Sequence, residues 1–255
     1  MANEVQFYIG TFVLDNTNGV GVSDIQVSIA KSVQSFVLPK FHGSVIPIGK
    51  RQNISVRLRG TVVSSDYDAL RTAMDNLKNA FDDTSEKKFT TDDDRQLFVQ
   101  YKTFSYSYRT IRTFVDFSVE IIASDPFFYS QTLNADTRTP TTTVGYTITN
   151  AGNATCRVKV TITAPGGAAV TSDCRLANTT TGEALQYNGT IAASKDLVVN
   201  NRVDTPDYVV TNDGTSDFAN FAGDFITLQP GANTIVWTSA VASVQVKLEW
   251  RDAYK

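Results

Sequence analysis

Histidine, cysteine and clustered carboxylates are the side chains that most often catalyse reactions or bind metals, and this sequence offers few of them. His42 is the single histidine. It stands in a proline-bounded stretch, where a loop position is favoured over a Ser-His-acid triad because no G-x-S-x-G turn accompanies it. Cys156 and Cys174 are 18 residues apart, without the clustered carboxylates that would complete a zinc site. The sequence therefore predicts no catalytic residue, no metal site and no cofactor, and it favours two free thiols over a disulfide.

Motifs that bind phosphate, calcium or nucleic acid are also missing. No G-x-x-x-x-G-K-[ST] loop occurs, and no G-x-G-x-x-G opens a helix. The triplet Asp92-Asp93-Asp94 lacks the alternating acids, the glycine and the distal glutamate of an EF-hand, which favours a solvated loop. The net charge of −3 gives no basic excess of the kind that holds nucleic-acid phosphates. Enzymatic and nucleic-acid-binding functions are therefore disfavoured.

Two tryptophans are the residues best suited to bind a sugar. Trp237 and Trp250 fall in the last predicted strands, and an exposed indole can stack on the face of a sugar ring. An inward position in either strand would instead bury the indole in a core, and this interpretation is favoured. Glycan binding through Trp237 and Trp250 stays the alternative.

Alternating apolar and polar residues predict β-strands through most of the first half. In Asn53–Gly60 the apolar side chains share one face, while Arg57 and Arg59 lie on the other. The segment Phe114–Tyr129 alternates in the same way until Asp125-Pro126, where proline fixes φ and removes a backbone donor. The long strand and its aromatic ending therefore close a first domain.

One segment in this half has helical periodicity. Its apolar residues, at 70, 73, 74, 77, 80 and 81, form a single stripe, and Asp66 is a candidate N-cap. The pattern predicts a helix over residues 66–81 that packs on the sheet.

The second half is less charged and rich in threonine, alanine and asparagine. Many short apolar-polar segments alternate there with glycine- and asparagine-containing turns, which predicts a β-sandwich of the jelly-roll kind. The fold class is therefore mainly β, with domains at 1–133 and 144–255 joined by a threonine-rich linker at 134–143. No apolar run is long enough to span a membrane, and no signal peptide is visible.

Several motifs, in order, resemble the phage distal tail protein family of siphophages. They are the strand Ile54–Gly60 followed by the helix, Asp125-Pro126-Phe127-Phe128-Tyr129, the turn Asn178-Thr179-Thr180-Thr181-Gly182-Glu183-Ala184-Leu185, the stretch Leu228-Gln229-Pro230-Gly231-Ala232-Asn233, and Arg251-Asp252-Ala253-Tyr254. The set spans nearly the whole chain.

The resemblance implies a tail-tube-like N-terminal domain, six copies of which close into a ring, and a galectin-like or carbohydrate-module-like C-terminal domain. It implies a structural protein of the virion tail, assembled in the host cytoplasm, with the genome passing through the lumen. Expected partners are other copies of the chain, the tail tube protein, the tip hub and receptor-binding proteins.

Within this expectation, the strands 53–60 and 112–124 form the ring. The candidate interface residues are Arg57, Arg59, Arg112, Asp116 and Glu120. The alternative function is a carbohydrate-binding protein that recognises a host cell-surface glycan through its C-terminal sandwich.

Overall fold

The computed structural model describes most of the chain. The described residues are 7–9, 11–15, 19–31, 36–37, 44–45, 51–82, 86–90, 94–108, 113–123, 125–140, 143–171, 174–204 and 208–255. His42, Arg112, Asp92 and Asp93 lie outside them. The chain divides into two compact units, Met1–Phe128 and Tyr129–Lys255.

The first unit is an antiparallel sheet with one α-helix. Its elements are β1 (Phe7–Ile9), β2 (Phe12–Leu14), β3 (Val20–Lys31), β4 (Phe36–Val37), β5 (Ser44–Val45), β6 (Arg51–Val63), α1 (Tyr67–Phe81), β7 (Lys87–Thr90), β8 (Arg95–Tyr108) and β9 (Phe114–Ala123). The strand order is β2-β1-β7-β8-β9-β6-β3, and β4 pairs with β5 separately.

The long strand β8 is one element although its pairing with β9 is interrupted. A shift of register between Tyr101 and Thr103 absorbs a break in the alternation. Such a bulge adds one residue to one strand without ending the pairing.

Helix α1 begins and packs as the periodicity predicts. The Asp66 carboxylate accepts a hydrogen bond from the backbone N–H of Ala69 at 2.9 Å, which caps the first turn. The buried side chains of the helix are Leu70, Met74, Leu77 and Phe81, and they join the core formed by the apolar faces of β6 and β9. The helix therefore covers the middle of the sheet.

The substitution Leu77→Ala should lower the free energy of unfolding by about 2–5 kcal/mol, because it leaves a cavity beside a side chain with no exposed surface. Urea unfolding followed by circular dichroism at 222 nm measures the effect, since α1 is the one α-helix of the described residues. The exposed Asn76→Ala is the matched control and should change stability by about 0.5 kcal/mol or less. Equal midpoints for the two variants would contradict the packing described.

The second unit is a sandwich of two antiparallel sheets. Its strands are β10 (Phe128–Ser130), β11 (Asn134–Arg138), β12 (Thr143–Asn150), β13 (Cys156–Thr163), β14 (Cys174–Asn178), β15 (Glu183–Tyr187), β16 (Asp196–Asn200), β17 (Val209–Asn212), β18 (Thr215–Ser216), β19 (Phe221–Gly223), β20 (Thr227–Leu228), β21 (Gly231–Thr238), β22 (Gln245–Trp250) and β23 (Ala253–Tyr254). One sheet has the order β11-β22-β13-β16-β17-β18, with β20 also on β13, and the other β12-β21-β14-β15-β19. The predicted mainly β fold class is confirmed.

The predicted linker at 134–143 requires a correction. Residues 134–138 form strand β11, which pairs with residues 246–250 of β22. Their polar composition resembles a linker because β11 is an edge strand with exposed side chains, and such a strand needs few apolar residues.

The two cysteines are buried free thiols, as the sequence favoured. Burial raises the pKa of Cys156 and of Cys174 to about 12 each. A thiol reagent such as DTNB should therefore leave both unmodified in the native protein at pH 8, because the thiolate is the reactive form. In guanidinium chloride both thiols should react. Rapid modification of the native protein would contradict the burial of these residues.

Candidate assembly surface

Strands β8, β9, β6 and β3 together present one polar face. Arg57 lies opposite Glu120 of β9 and Gln26 of β3, and Arg59 lies opposite Asp24 of β3. Both arginines are exposed, whereas their neighbours along β6 on the other face are buried. The arginines predicted as interface residues therefore belong to a surface that extends across several strands.

Glu120 is the centre of the charge network on this face. Its carboxylate accepts a hydrogen bond from Lys102 Nζ at 2.7 Å and one from Ser55 Oγ at 3.0 Å, and Arg57 Nη2 lies 3.7 Å away. The hydrogen bond from Lys102, with those other two groups, lowers the pKa of Glu120 below its usual value. Glu120 is therefore charged at neutral pH.

Asp116 lies on the same face and accepts a hydrogen bond from Thr61 Oγ1 at 3.1 Å. Four of the five predicted interface residues are thus brought to one surface, and Arg112 lies outside the described residues. The charged side chains described at the centre of this polar face are Arg57, Arg59, Lys102, Asp24, Asp116 and Glu120. Arg51, at the start of β6, is a further cation on the same side by alternation. At the centre, three cations face three carboxylates, so this part of the surface carries little net charge.

The opposite face of these strands is apolar, and it extends beyond the helix on the β3 side. Val27 and Ile29 of β3 lie opposite the fully buried Val56 and Ile54 of β6. They are nevertheless 42% and 44% exposed, because β3 is the outermost strand in the order of this sheet. We call these two residues the β3 flank.

The same face is also exposed on the β8 side. Three tyrosines of β8 are 41–48% exposed, although they lie opposite buried apolar residues of β9. They are Tyr101, Tyr106 and Tyr108, which we call the β8 flank. Of these, Tyr106 also has Lys78 of the helix 4.5 Å above its ring centroid. Sequence alternation indicated which face these residues share, but it gave no sign that they would stay exposed.

In the second unit, two motifs that are distant in the sequence meet at a pair of buried asparagines that are 55 residues apart. Asn178 Nδ2 donates to Asn233 Oδ1 at 3.1 Å and to the carbonyl of Thr227 at 2.7 Å. Asn233 also bonds to the backbone of Gln229 as donor and as acceptor. Both asparagines have no exposed surface. These motif residues therefore join β14 to β21 and fix the turn before it.

The neighbouring Glu183 completes this junction. Its carboxylate accepts hydrogen bonds from the Thr227 backbone N–H at 2.7 Å, from Thr227 Oγ1 at 2.9 Å and from Thr181 Oγ1 at 3.0 Å. Gly182, just before it, has a φ of +82°, a conformation that side chains with a Cβ rarely adopt. The motif Asn-x-x-Thr-Gly-Glu is accordingly a structural turn with no reacting group.

The C-terminal motif has a similar role. Arg251 Nε lies 3.3 Å from Asp204 Oδ2, and its Nη1 donates to the carbonyl of Ser130 at 3.2 Å. Asp252 accepts from Trp250 Nε1 at 3.2 Å and from Asn134 Nδ2 at 2.9 Å. These contacts hold the last strand against the residues that open the second unit.

Replacing Asn178 by alanine should lower the free energy of unfolding of the second unit by about 1–3 kcal/mol, because buried acceptors of Thr227 and Asn233 lose their donor. Tryptophan fluorescence in urea measures the effect, since both tryptophans lie in this unit. Asn188→Ala, at an exposed position beside β15, is the control and should leave the midpoint nearly unchanged. A midpoint for Asn178→Ala equal to that of the control would refute the structural role.

The two tryptophans considered for glycan stacking are buried. Trp237 has no exposed surface, and Trp250 is 7% exposed with its indole N–H bound to Asp252. A buried indole has no face to offer a sugar, so the core interpretation is correct and stacking through these residues is not supported. None of the helical segments that the structure describes has the length and apolar character needed to cross a lipid bilayer.

A comparison with known protein families finds a match in the second half of the chain. Residues 151–254 match the model of the siphovirus-type tail component, C-terminal domain. These residues are therefore similar to that domain. The match contains the Asn178 turn, the stretch before Asn233 and the closing Arg251 motif. The resemblance to the distal tail proteins is therefore confirmed.

Solved structures show the same fold over the whole chain. The structure described as SPP1 Dit, a hub adsorption apparatus protein of phages that infect Gram-positive bacteria, aligns with a TM-score of 0.72 at 13% identity, covering 98% of this chain and 99% of that one. A chain of the phage P2 baseplate aligns with a TM-score of 0.57 at 10% identity, covering 96% and 97%. No curated protein sequence matches the chain. The chain thus shares the fold of these phage hub and baseplate structures.

Proposed function

We propose that this protein is a structural component of the distal end of a phage tail, where six copies close into a ring. The family match of residues 151–254 and the fold shared with hub and baseplate proteins support a tail component. The observation that carries ring formation is the pair of exposed apolar flanks on the sheet of the first unit.

The two flanks differ in composition, which favours a head-to-tail contact. The β3 flank is aliphatic and the β8 flank is aromatic. Each flank is therefore better suited to contact the other flank of a neighbouring copy than to contact the same flank. A contact between two different surfaces is heterologous, and it closes into a ring when the rotation between subunits divides the circle evenly. Pairing also covers the outermost strand β3, whose unpaired backbone groups are otherwise open to aggregation.

The polar face of the same strands is proposed to line the channel of the ring. At the centre of this face three cations and three carboxylates carry little net charge, and the neighbouring positions Ser55, Thr61, Ser105 and Ser118 carry hydroxyl groups. A polyanionic genome gains affinity for proteins mainly from basic side chains that contact its phosphates. A surface of paired charges offers little of this affinity, so the genome could slide past without being held.

The partners follow from this position in the tail. We propose the tail tube protein on one side of the ring, the tip hub on the other, and receptor-binding proteins on the second unit. The work of the protein is therefore mechanical, since buried interface supplies the energy and no bond is made or broken. Residues Arg57, Arg59, Arg112, Asp116 and Glu120 remain candidates for the contact or for the channel lining.

Native mass spectrometry with negative-stain images of the purified chain tests the ring. The wild-type protein should give rings of six with an open centre. Val27→Lys and Tyr108→Lys should each weaken subunit association by about tenfold or more, because each places an unpaired charge in an apolar contact. Leu133→Lys, at a position in the second unit that is 39% exposed, is the control and should assemble like the wild type.

Mixing the two variants tests the head-to-tail arrangement. Val27→Lys keeps an intact β8 flank and Tyr108→Lys keeps an intact β3 flank, so an equimolar mixture should form heterodimers and no rings. Rings from either variant alone would refute the assigned flanks. A wild-type protein that stays monomeric at high concentration, and also when mixed with the tail tube protein, would refute the ring.

A further inference from the structure

Four aromatic side chains of the second unit form a cluster at its surface. Phe225 is central, with its ring centroid 4.9 Å from that of Tyr208, 4.9 Å from that of Phe221 and 6.4 Å from that of Phe218. Tyr208 precedes β17, and the other three residues lie in the segment from the 3-10 turn Phe218–Asn220 to the residue two positions after β19. We call these four residues the aromatic cluster.

None of the four residues is among the fully buried core residues of the second unit. Tyr208 is 54% exposed and Phe218 is 45% exposed, while Phe221 and Phe225 are half-buried. Single exposed aromatics are common, but contiguous exposed aromatic surface marks an interaction site in soluble proteins. Residues of this type also dominate the energy of protein interfaces.

The polar groups beside the cluster are already hydrogen-bonded within the protein. Asp217 accepts from the Tyr187 hydroxyl through one oxygen and from Asn220 Nδ2 at 2.8 Å through the other. Asn212 Nδ2 donates to Tyr187 and to the carbonyl of Thr190, both at 2.8 Å. A sugar needs such side chains for its hydroxyl groups. Their engagement favours an occupant that binds through apolar contact with the rings.

The chain segment that carries the cluster is acidic. The sequence contains neither lysine nor arginine from residue 203 to 246. Asp213 is paired with Lys195 at 3.1 Å, but Asp224, next to Phe225, is exposed, and Asp217 lies next to Phe218. A partner with basic side chains would be attracted to the acidic rim that Asp217 and Asp224 form beside the cluster. A second copy of the chain docked through the same cluster would instead bring two acidic rims together.

We infer that the aromatic cluster is a docking site for a polypeptide segment that carries apolar or aromatic side chains flanked by lysine or arginine. The apolar side chains pack on Tyr208 and Phe218, and the cations lie over exposed ring faces and near Asp224. The inference places a partner on the second unit and does not depend on ring formation by the first.

Selection from a displayed library of random dodecapeptides on the full-length protein tests the chemistry of the partner. The enriched peptides should combine apolar or aromatic residues with flanking lysine or arginine. A synthetic peptide of the consensus sequence should bind in fluorescence anisotropy, and its counterpart with glutamate at each basic position should bind at least about tenfold more weakly. Raising the salt concentration should weaken binding of the basic peptide.

Variants locate the site. Phe218→Ser removes an exposed ring, and Asp224→Lys reverses the charge of the rim without changing the rings; each should weaken the consensus peptide by about tenfold or more. Tyr67→Ser, at a 46% exposed tyrosine of α1, is the matched control and should bind like the wild type. Tryptophan fluorescence in urea checks that each variant is folded. If Phe218→Ser is unfolded, Asp224→Lys and Tyr208→Ser decide the matter.

Three results would overturn the inference. Failure to enrich basic-apolar peptides would do so, and so would binding that survives both Phe218→Ser and Asp224→Lys. Self-association in sedimentation velocity that Phe218→Ser abolishes, without peptide binding, would assign the cluster to a second copy of the chain. Because ring formation is measured separately through the β3 and β8 flanks, failure here leaves the proposed ring standing.

Discussion

The structure of the first unit depends on how one apolar sheet face is removed from water. Strands β3, β6, β9 and β8 share this face, and burial of apolar area is the main favourable term in folding. A single helix of 15 residues can cover the middle of it but not both sides. The apolar stripe of the helix therefore covers the apolar faces of β6 and β9. Val27 and Ile29 on one side of it, and the tyrosines of β8 on the other, stay exposed. The first unit therefore keeps two apolar flanks in contact with solvent.

The opposite face of the same strands remains in contact with water. It is polar, and its charges are arranged as cross-strand neighbours, with Glu120 held by Lys102, Ser55 and Arg57. Exposed ion pairs of this kind contribute little to stability. Their value lies in keeping a broad surface hydrated and nearly neutral. One sheet thus combines an apolar face that is partly exposed with a polar face that stays hydrated.

The second unit is held by polar contacts between segments distant in the sequence. Asn178, Asn233 and Glu183 satisfy backbone groups of the turns around them, and Arg251 and Asp252 tie the last strand to the beginning of the unit. Each of these groups is buried or partly buried, where an unsatisfied donor or acceptor is costly. These sequence motifs are therefore explained by the folding of the sandwich.

The sequence by itself determined the period of each element, because alternation and helical spacing are local properties. It was sufficient for the strand Asn53–Gly60 with its arginines on one side, for the helix that ends at Phe81, and for the mainly β sandwich. Only the tertiary structure decided what covers each face. Alternation gives Val27 and Val56 the same orientation, yet one is exposed and the other buried, because coverage depends on a helix elsewhere in the chain. Gly60 is likewise explained only by neighbours from other strands, since a Cβ there would lie 2.3 Å from the carbonyl oxygen of Gly21 and 2.7 Å from the ring of Phe117. The same holds for Trp237, whose burial needs two sheets to meet, and for the contact between Asn178 and Asn233, which no local pattern encodes.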